Sequence, residues 1–330
     1  MRPTALTCAL AFAVLLAVPP RAGAQSDPLA DSLADTLAGA GPEVVASIAP
    51  VHSLVARVMQ GAGAPHLLLP PDASPHDLAL RPSDAAALER AALVFWVGPR
   101  LVPWLERPLT VLAAGARVVR LADTPGLTRL AFREGTVFEA HDPESEPAAE
   151  PTPESDPGED ETDPHLWLDP MNAKLWLGAI AAALAEADPA RRALYLANAE
   201  AARAEIDTLA AEIDARLAPV RGRPFVVFHD SFHYFERRFG IEAAGAVALG
   251  DARAPGPARI ARIRDHIGAL GTVCLFREPQ FRASLVDTVA AGAGVRIGVL
   301  DPLGANLRPG PDLYPELLRG LAESLADCLG

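Results

Sequence analysis

Eight short apolar runs separated by helical patterns constrain this chain more than any other feature. The first four are VVASIAPV (44–51), HLLLP (66–70), ALVFWVG (92–98) and ARVVRLAD (116–123). A second set follows residue 220: FVVFHD, AAGAVAL, TVCLFREP and RIGVLDP. Helical stretches lie between them, one opened by Pro82-Ser83-Asp84 ahead of AAALERAA. Strands alternating with helices build parallel sheets covered by helices. The expected fold is therefore α/β, with two lobes of parallel β-sheet flanked by helices. The length of 330 residues also exceeds one typical domain.

The two sets are joined by a long helical pattern. Asp188-Pro189 is a helix start and Pro219 the next breaker. Between them apolar or small residues recur at Tyr195, Ala199, Ala202, Ile206, Leu209, Ile213 and Leu217, three or four apart. At about 1.5 Å per residue this is a rod of roughly 45 Å. An ordinary long helix with a shallow kink would satisfy the same pattern; a rigid spine between lobes is the preferred reading. The expected organisation is a first lobe over 42–187, a linking helix over 188–218 and a second lobe over 219–330.

The chain opens MRPTALTCALAFAVLLAVPPRAGAQ. A basic start, an apolar core from Leu6 to Val18 and the small residues Ala22-Gly23-Ala24 make residues 1–24 a secretory signal, cleaved near Ala24 and too short to span a bilayer. Cys8 lies inside the apolar core, too early for a lipid-attachment cysteine. Removing this leader also removes Arg2 and Arg21, which takes the formal net charge from −13 to −15. Such an acidic chain with no basic patch is a poor candidate for binding nucleic acid or anionic lipid and suits a cationic ligand. Cys274 and Cys328 remain, and an exported chain with one even pair is expected to oxidise it; two unrelated buried thiols are the alternative.

Residues 139–163, EAHDPESEPAAEPTPESDPGEDETD, carry eleven acids and no Lys or Arg. That composition is too polar to bury a core, so a mobile acidic loop is expected.

In open α/β sheets ligands sit at the carboxyl ends of strands. There the sequence places His76 in LLLPPDASPHD, His229 at the end of FVVFHD, Glu278 in FREP and Asp301 in VLDPLG. His165, in DPHLWLDP, follows the acidic loop and precedes the helix of residues 170–187. One histidine at a strand exit is ordinarily a hydrogen-bonded structural residue. Three histidines and a carboxylate complete a tetrahedron suited to zinc, whereas manganese and calcium favour more oxygens. The ligands are far apart in sequence, so spacing leaves their convergence open. Of the other histidines, His52 is expected to be structural, with a place lining the cleft as the alternative, His66 starts a strand, and His233 and His266 are expected on helix surfaces.

The stretches LLLPPDASPHDLALRPSD, FWVGP, DPHLWLDP, FVVFHDSFHYFERRFG, FREPQF and VLDPLGANL, in this order, resemble the zinc-binding proteins of high-affinity zinc-uptake ABC transporters. The resemblance runs from about residue 42 to the C-terminus. It implies that His76, His165 and His229 bind Zn²⁺, with Asp301 a weaker fourth candidate, and that Cys274 and Cys328 are bonded. It further implies a periplasmic, monomeric, non-enzymatic carrier that hands zinc to an inner-membrane ABC permease. Manganese-type relatives place a carboxylate where this chain has His229. Two departures stand out. Pro75 replaces a glutamate that precedes the first histidine in some zinc binders. The acidic loop holds only His141 where such loops are usually histidine-rich. The rival readings are a manganese or iron carrier of the same fold, a secreted zinc hydrolase with Glu278 as its base, and a surface adhesin.

Overall fold

The computed structural model describes residues 41–76, 80–133, 161–248, 256–271 and 274–330. The expected leader (1–24) and residues 139–160 of the expected mobile loop lie outside the described residues. Among the described residues, eight strands form two four-stranded sheets: β1 (Val44–Ala46), β2 (His66–Leu67), β3 (Leu93–Trp96), β4 (Arg117–Arg120), β5 (Phe225–His229), β6 (Gly245–Ala248), β7 (Cys274–Arg277) and β8 (Arg296–Val299). Every pairing is parallel, with strand orders β2-β1-β3-β4 and β6-β5-β7-β8. The central strands β1, β3 and β5 are buried throughout and read as continuous apolar runs.

The helices are α1 (Ala49–Val58), α2 (Pro82–Arg90), α3 (Glu106–Leu112), α4 (Pro170–Ala187), α5 (Arg192–Leu217), α6 (His233–Phe239), α7 (Pro257–Leu270), α8 (Ala283–Ala290) and α9 (Leu313–Leu329). The apolar run 44–51 divides rather than forming one strand. Its strand stops at Ala46, and Pro50 sits in the first turn of α1, where its missing N–H costs nothing. Apolarity continued through the junction because both elements are buried, so hydrophobicity alone carried no boundary signal.

The spine matches its pattern residue by residue. In α5 the buried positions are Tyr195, Ala199, Ala202, Ile206, Leu209, Ile213 and Leu217. Its 26 helical residues span about 39 Å. It packs on α4 and α9, and one apolar core runs from β1 and β3 through α4 and α5 to β5 and β7. Cys274 in β7 is bonded to Cys328 in α9, with Cα atoms 6.2 Å apart, which ties the last helix to the second sheet.

The N-terminus of α4 is locally determined. Asp169 caps it, its Oδ1 accepting from the Met171 amide at 2.8 Å, with Pro170 at the first helical position. Arg238 of α6 donates to both oxygens of the same carboxylate at 2.7 Å. The helix carrying the HLWLDP turn is thereby fixed to the second lobe. The stretches flanking the acidic segment are also joined. Ala131 and Thr162 form an antiparallel bridge, with Phe132 N–H to Glu161 O at 3.1 Å and Asp163 N–H to Leu130 O at 2.8 Å.

Candidate metal centre

Two of the three side chains come from strand exits and the third from the start of a 3₁₀ turn. His229 is the last residue of β5, at the central position of the second sheet where β6 and β7 flank it. His76 lies in the loop that follows β2, and its amide donates to Ser74 Oγ at 3.4 Å. His165 precedes a short 3₁₀ turn, Leu166–Leu168, that feeds α4. Trp167 in that turn donates from Nε1 to Pro302 O at 2.8 Å, so the turn is held against the β8 exit.

These three segments bring three imidazoles together. Their candidate ligand atoms lie within 4.8 Å of one another, and ring centroids are 5.0–6.0 Å apart. Tetrahedral zinc with bonds of about 2.0–2.1 Å sets donor–donor edges of about 3.4 Å, a difference within reach of side-chain rotation. The cavity they line measures about 10 Å³, room for one small body, and its other walls include Trp167, Glu278, Gln280 and Phe281. A cavity of about 340 Å³ beyond β3 and β4 is larger but is lined by no imidazole or thiol.

Two of the imidazoles are backed by carboxylates. Asp163 Oδ1 accepts from His165 Nδ1 at 2.7 Å and from the His165 amide at 3.0 Å. This bond places the proton on Nδ1 and turns Nε2 toward the other rings. Glu278 Oε1 accepts the His229 amide at 3.1 Å, and its Oε2 lies 3.6 Å from His229 Nδ1. Burial sets the protonation of the group. It holds the His165 pKa well below the usual histidine range, helped by the neighbouring His229, and so keeps the ring neutral, the form that ligates. Burial likewise pushes the Asp163 carboxyl up to about 6, against the opposing pull of the His165 amide bond, and raises Glu278.

Among the expected site residues, His76, His165 and His229 share this cavity, whereas Asp301 lies outside the cluster. Asp301 Oδ1 accepts from the amides of Leu303 (3.1 Å) and Gly304 (2.9 Å) and from Gln280 Nε2 (2.9 Å), and its Oδ2 from the Ala305 amide (2.5 Å). Gly304 adopts φ +78, and a Cβ there would press on Leu307 and Leu313 at 3.3 Å, so glycine shapes this amide nest. Pro75, the departure noted in the sequence, accepts from Trp104 Nε1 through its carbonyl at 3.0 Å.

The family model described as zinc-uptake complex component A, periplasmic, matches residues 44–328. The chain belongs to this family. A high-affinity zinc uptake system protein ZnuA of Brucella abortus (strain 2308) is 47% identical over 321 residues, covering 91% of this chain and 96% of that relative. The ZnuA of Paracoccus denitrificans is 40% identical over 300 residues, covering 88% and 92%. A crystal structure of ZnuA superposes with a TM-score of 0.72 at 24% identity over 88% of this chain and all of that one, the same two-sheet fold.

Within the family frame, two of the remaining histidines depart from the surface positions expected of them. His233 and His266 are half-buried, His266 with its Nε2 3.1 Å from Ala244 O, because α6 packs against the Leu166–Leu168 turn and α5, and α7 packs on β6. His52 is buried, with Nε2 3.1 Å from Pro65 O, and His66 Nε2 lies 3.0 Å from Asp84. Sequence reading passed over Asp163, Gln280 and Arg133. The first two were signalled by position, two residues from a site group in DPH and EPQ. Arg133 carried no local signal.

Proposed function

We propose that the chain is the periplasmic zinc carrier of an importer: it captures Zn²⁺ with His76, His165 and His229 and delivers it to an inner-membrane ABC permease. The observation that carries the reading is the set of three converging imidazoles, two of them almost wholly buried and one held neutral. Neutral imidazole suits zinc, and a cluster without a carboxylate in its ligating group is poor in the hard oxygens that manganese prefers. The family membership and the names of the relatives supply the transport context. The same family context supports a solute-binding component over a hydrolase. The residues offer a hydrolase little, since Glu278 is spent on the His229 amide and lies beside its ring. The secretory pattern of the sequence over residues 1–24 supports the periplasmic assignment.

The test is zinc titration of the chelated and refolded protein in competition with a chromophoric chelator. One tight equivalent is expected, and each of His76→Ala, His165→Ala and His229→Ala should weaken it by at least about 100-fold, the upper end of losses seen when only a ligand's outer partner is removed. Wild-type affinity in any of the three would remove that residue from the site. His229→Glu should shift zinc–manganese competition toward manganese; an unchanged ratio would count against the donor set.

A further inference from the structure

Three histidines leave one tetrahedral position, and the group best placed to fill it is an amide. Gln280 lines the same small cavity as His76, His165 and His229. Its Nε2 donates to Pro71 O at 3.1 Å and to Asp301 Oδ1 at 2.9 Å. Both partners are pure acceptors, a backbone carbonyl and a carboxylate, so the amide can face them only with its NH₂. The oxygen is therefore fixed on the opposite side. Gln280 Oε1 is buried and accepts no hydrogen bond from the protein. A buried, unpaired acceptor is costly and is normally satisfied.

We propose that Gln280 Oε1 supplies the fourth contact to the cargo ion, and that Asp301 aims the amide rather than binding the ion itself. This rests on the carrier reading above. The electrostatics of the site agree with it. Asp163 stands behind His165, Glu278 behind His229 and Asp301 behind Gln280. In each case a carboxylate polarises a neutral donor from outside, the arrangement that raises donor basicity while fixing orientation. Asp301 is further committed by its three backbone amides, which hold both oxygens away from ligation. An amide oxygen is also the neutral member of the oxygen donors. It completes the sphere without adding the negative charge that would favour harder ions.

The experiment compares zinc affinities of Gln280→Ala, Gln280→Leu, Asp301→Ala and the Gln280→Ala/Asp301→Ala pair, with His229→Ala as reference and apo thermal unfolding as the fold control. Gln280→Ala should lose about 10-fold, because water can occupy the vacated space, and Gln280→Leu about 100-fold, because it excludes water. A packing role alone would reverse that order, and the reversed order would overturn the proposal. Asp301→Ala should weaken zinc about as much as Gln280→Ala, and the pair should be no weaker than either single change. Losses that multiply would show Asp301 acting on the ion independently and would overturn its aiming role. If Asp301→Ala fails to fold, the Ala–Leu order at Gln280 decides alone. Wild-type affinity in both Gln280 variants with zinc lost in His229→Ala would overturn this inference and leave the carrier reading standing. Zinc retained in His229→Ala as well would instead overturn the carrier reading.

Discussion

Replacing Arg133 with methionine should destabilise the metal-free protein more than a single surface ion pair could. Arg133 leaves the first lobe just before the acidic segment and reaches two carboxylates of the second. Its Nε lies 3.0 and 3.2 Å from the two oxygens of Asp230, and Nη1 lies 2.6 Å from Glu236 Oε2. The arginine side chain is 15% exposed, and those of Asp230 and Glu236 are 3% and 2% exposed. Burial alone would lower the Arg133 pKa, but the two carboxylates reverse this and raise it. Burial raises Asp230, and Arg133 opposes that rise. Methionine keeps the aliphatic bulk and strands two buried charges, a change that costs about 3–5 kcal/mol. At about 2–4 °C per kcal/mol for a chain of this size, Tm should fall by roughly 6–20 °C. The pH dependence identifies the cause. In the variant Asp230 keeps the burial that raises its carboxyl and loses the arginine that opposed the rise, so the folded state binds more protons and gains stability as pH falls. Calorimetry of apo protein should therefore show a gap from wild type that is widest near pH 7 and narrows toward pH 5. A fall under about 2 °C, or a gap that does not narrow on acidification, would refute the argument.

Reducing the Cys274–Cys328 bond, which closes a separation of 54 residues, should cost about 4 kcal/mol by loop entropy and lower Tm without changing zinc stoichiometry. Two free thiols in protein isolated from an oxidising compartment would contradict it. His52 is lowered by burial, so its unfolded form protonates first and stability is lost as pH drops below about 6.5; His52→Gln should flatten that slope by up to about 1.4 kcal/mol per pH unit in denaturant titrations at pH 7, 6 and 5. An unchanged slope would show that His52 does not titrate on unfolding. Deleting residues 142–160 should leave cleft affinity nearly unchanged, because the bridge between Ala131 and Thr162 and the Asp163–His165 bond lie outside the deletion; it should slow zinc capture modestly at low salt only, since solvated acids act over about 8 Å at physiological ionic strength. A second tight zinc equivalent that vanishes with the segment would show direct binding there.

The fold was legible because its signals are periodic. The seven small or apolar positions of α5 could only be one helix face, and β5 announced itself as a buried strand ending in His229. Junctions were illegible where burial is continuous, as between β1 and α1. His76 and His229 stood out because they follow strands, whereas His165 precedes a 3₁₀ turn and was joined to them by the resemblance; their convergence was not in the spacing. What lay beyond the sequence was their support. Asp301 stands at a strand exit like a ligand, yet the turn 302–305, with Gly304 at positive φ, wraps its oxygens in backbone amides. Arg133 is one arginine among many in the sequence; only the fold brings it to Asp230, 97 positions away.

The division of the site between the two sheets bears on release. His76 and His165 belong to segments of the first lobe or its edge, while His229 ends a strand of the second and Gln280 lies in the turn that follows β7. Metal–ligand bonds tolerate only about 0.2 Å of error, whereas side chains packed between lobes tolerate more. Holding the ion therefore demands that the two sheets keep one relative placement. Cross-lobe bonds maintain it: Trp167 Nε1 to Pro302 O, Gln280 Nε2 to Pro71 O, and Arg238 to Asp169. Two of these involve backbone carbonyls beside the site itself. A shift of about 1 Å between sheets would break them together with the coordination, without unfolding either sheet. Neutral donors would make that step easier, because a departing ion would leave carboxylates that are already hydrogen-bonded. In the proposed donor set, the same arrangement would serve capture and release, because the carboxylates stand behind the donors rather than among them.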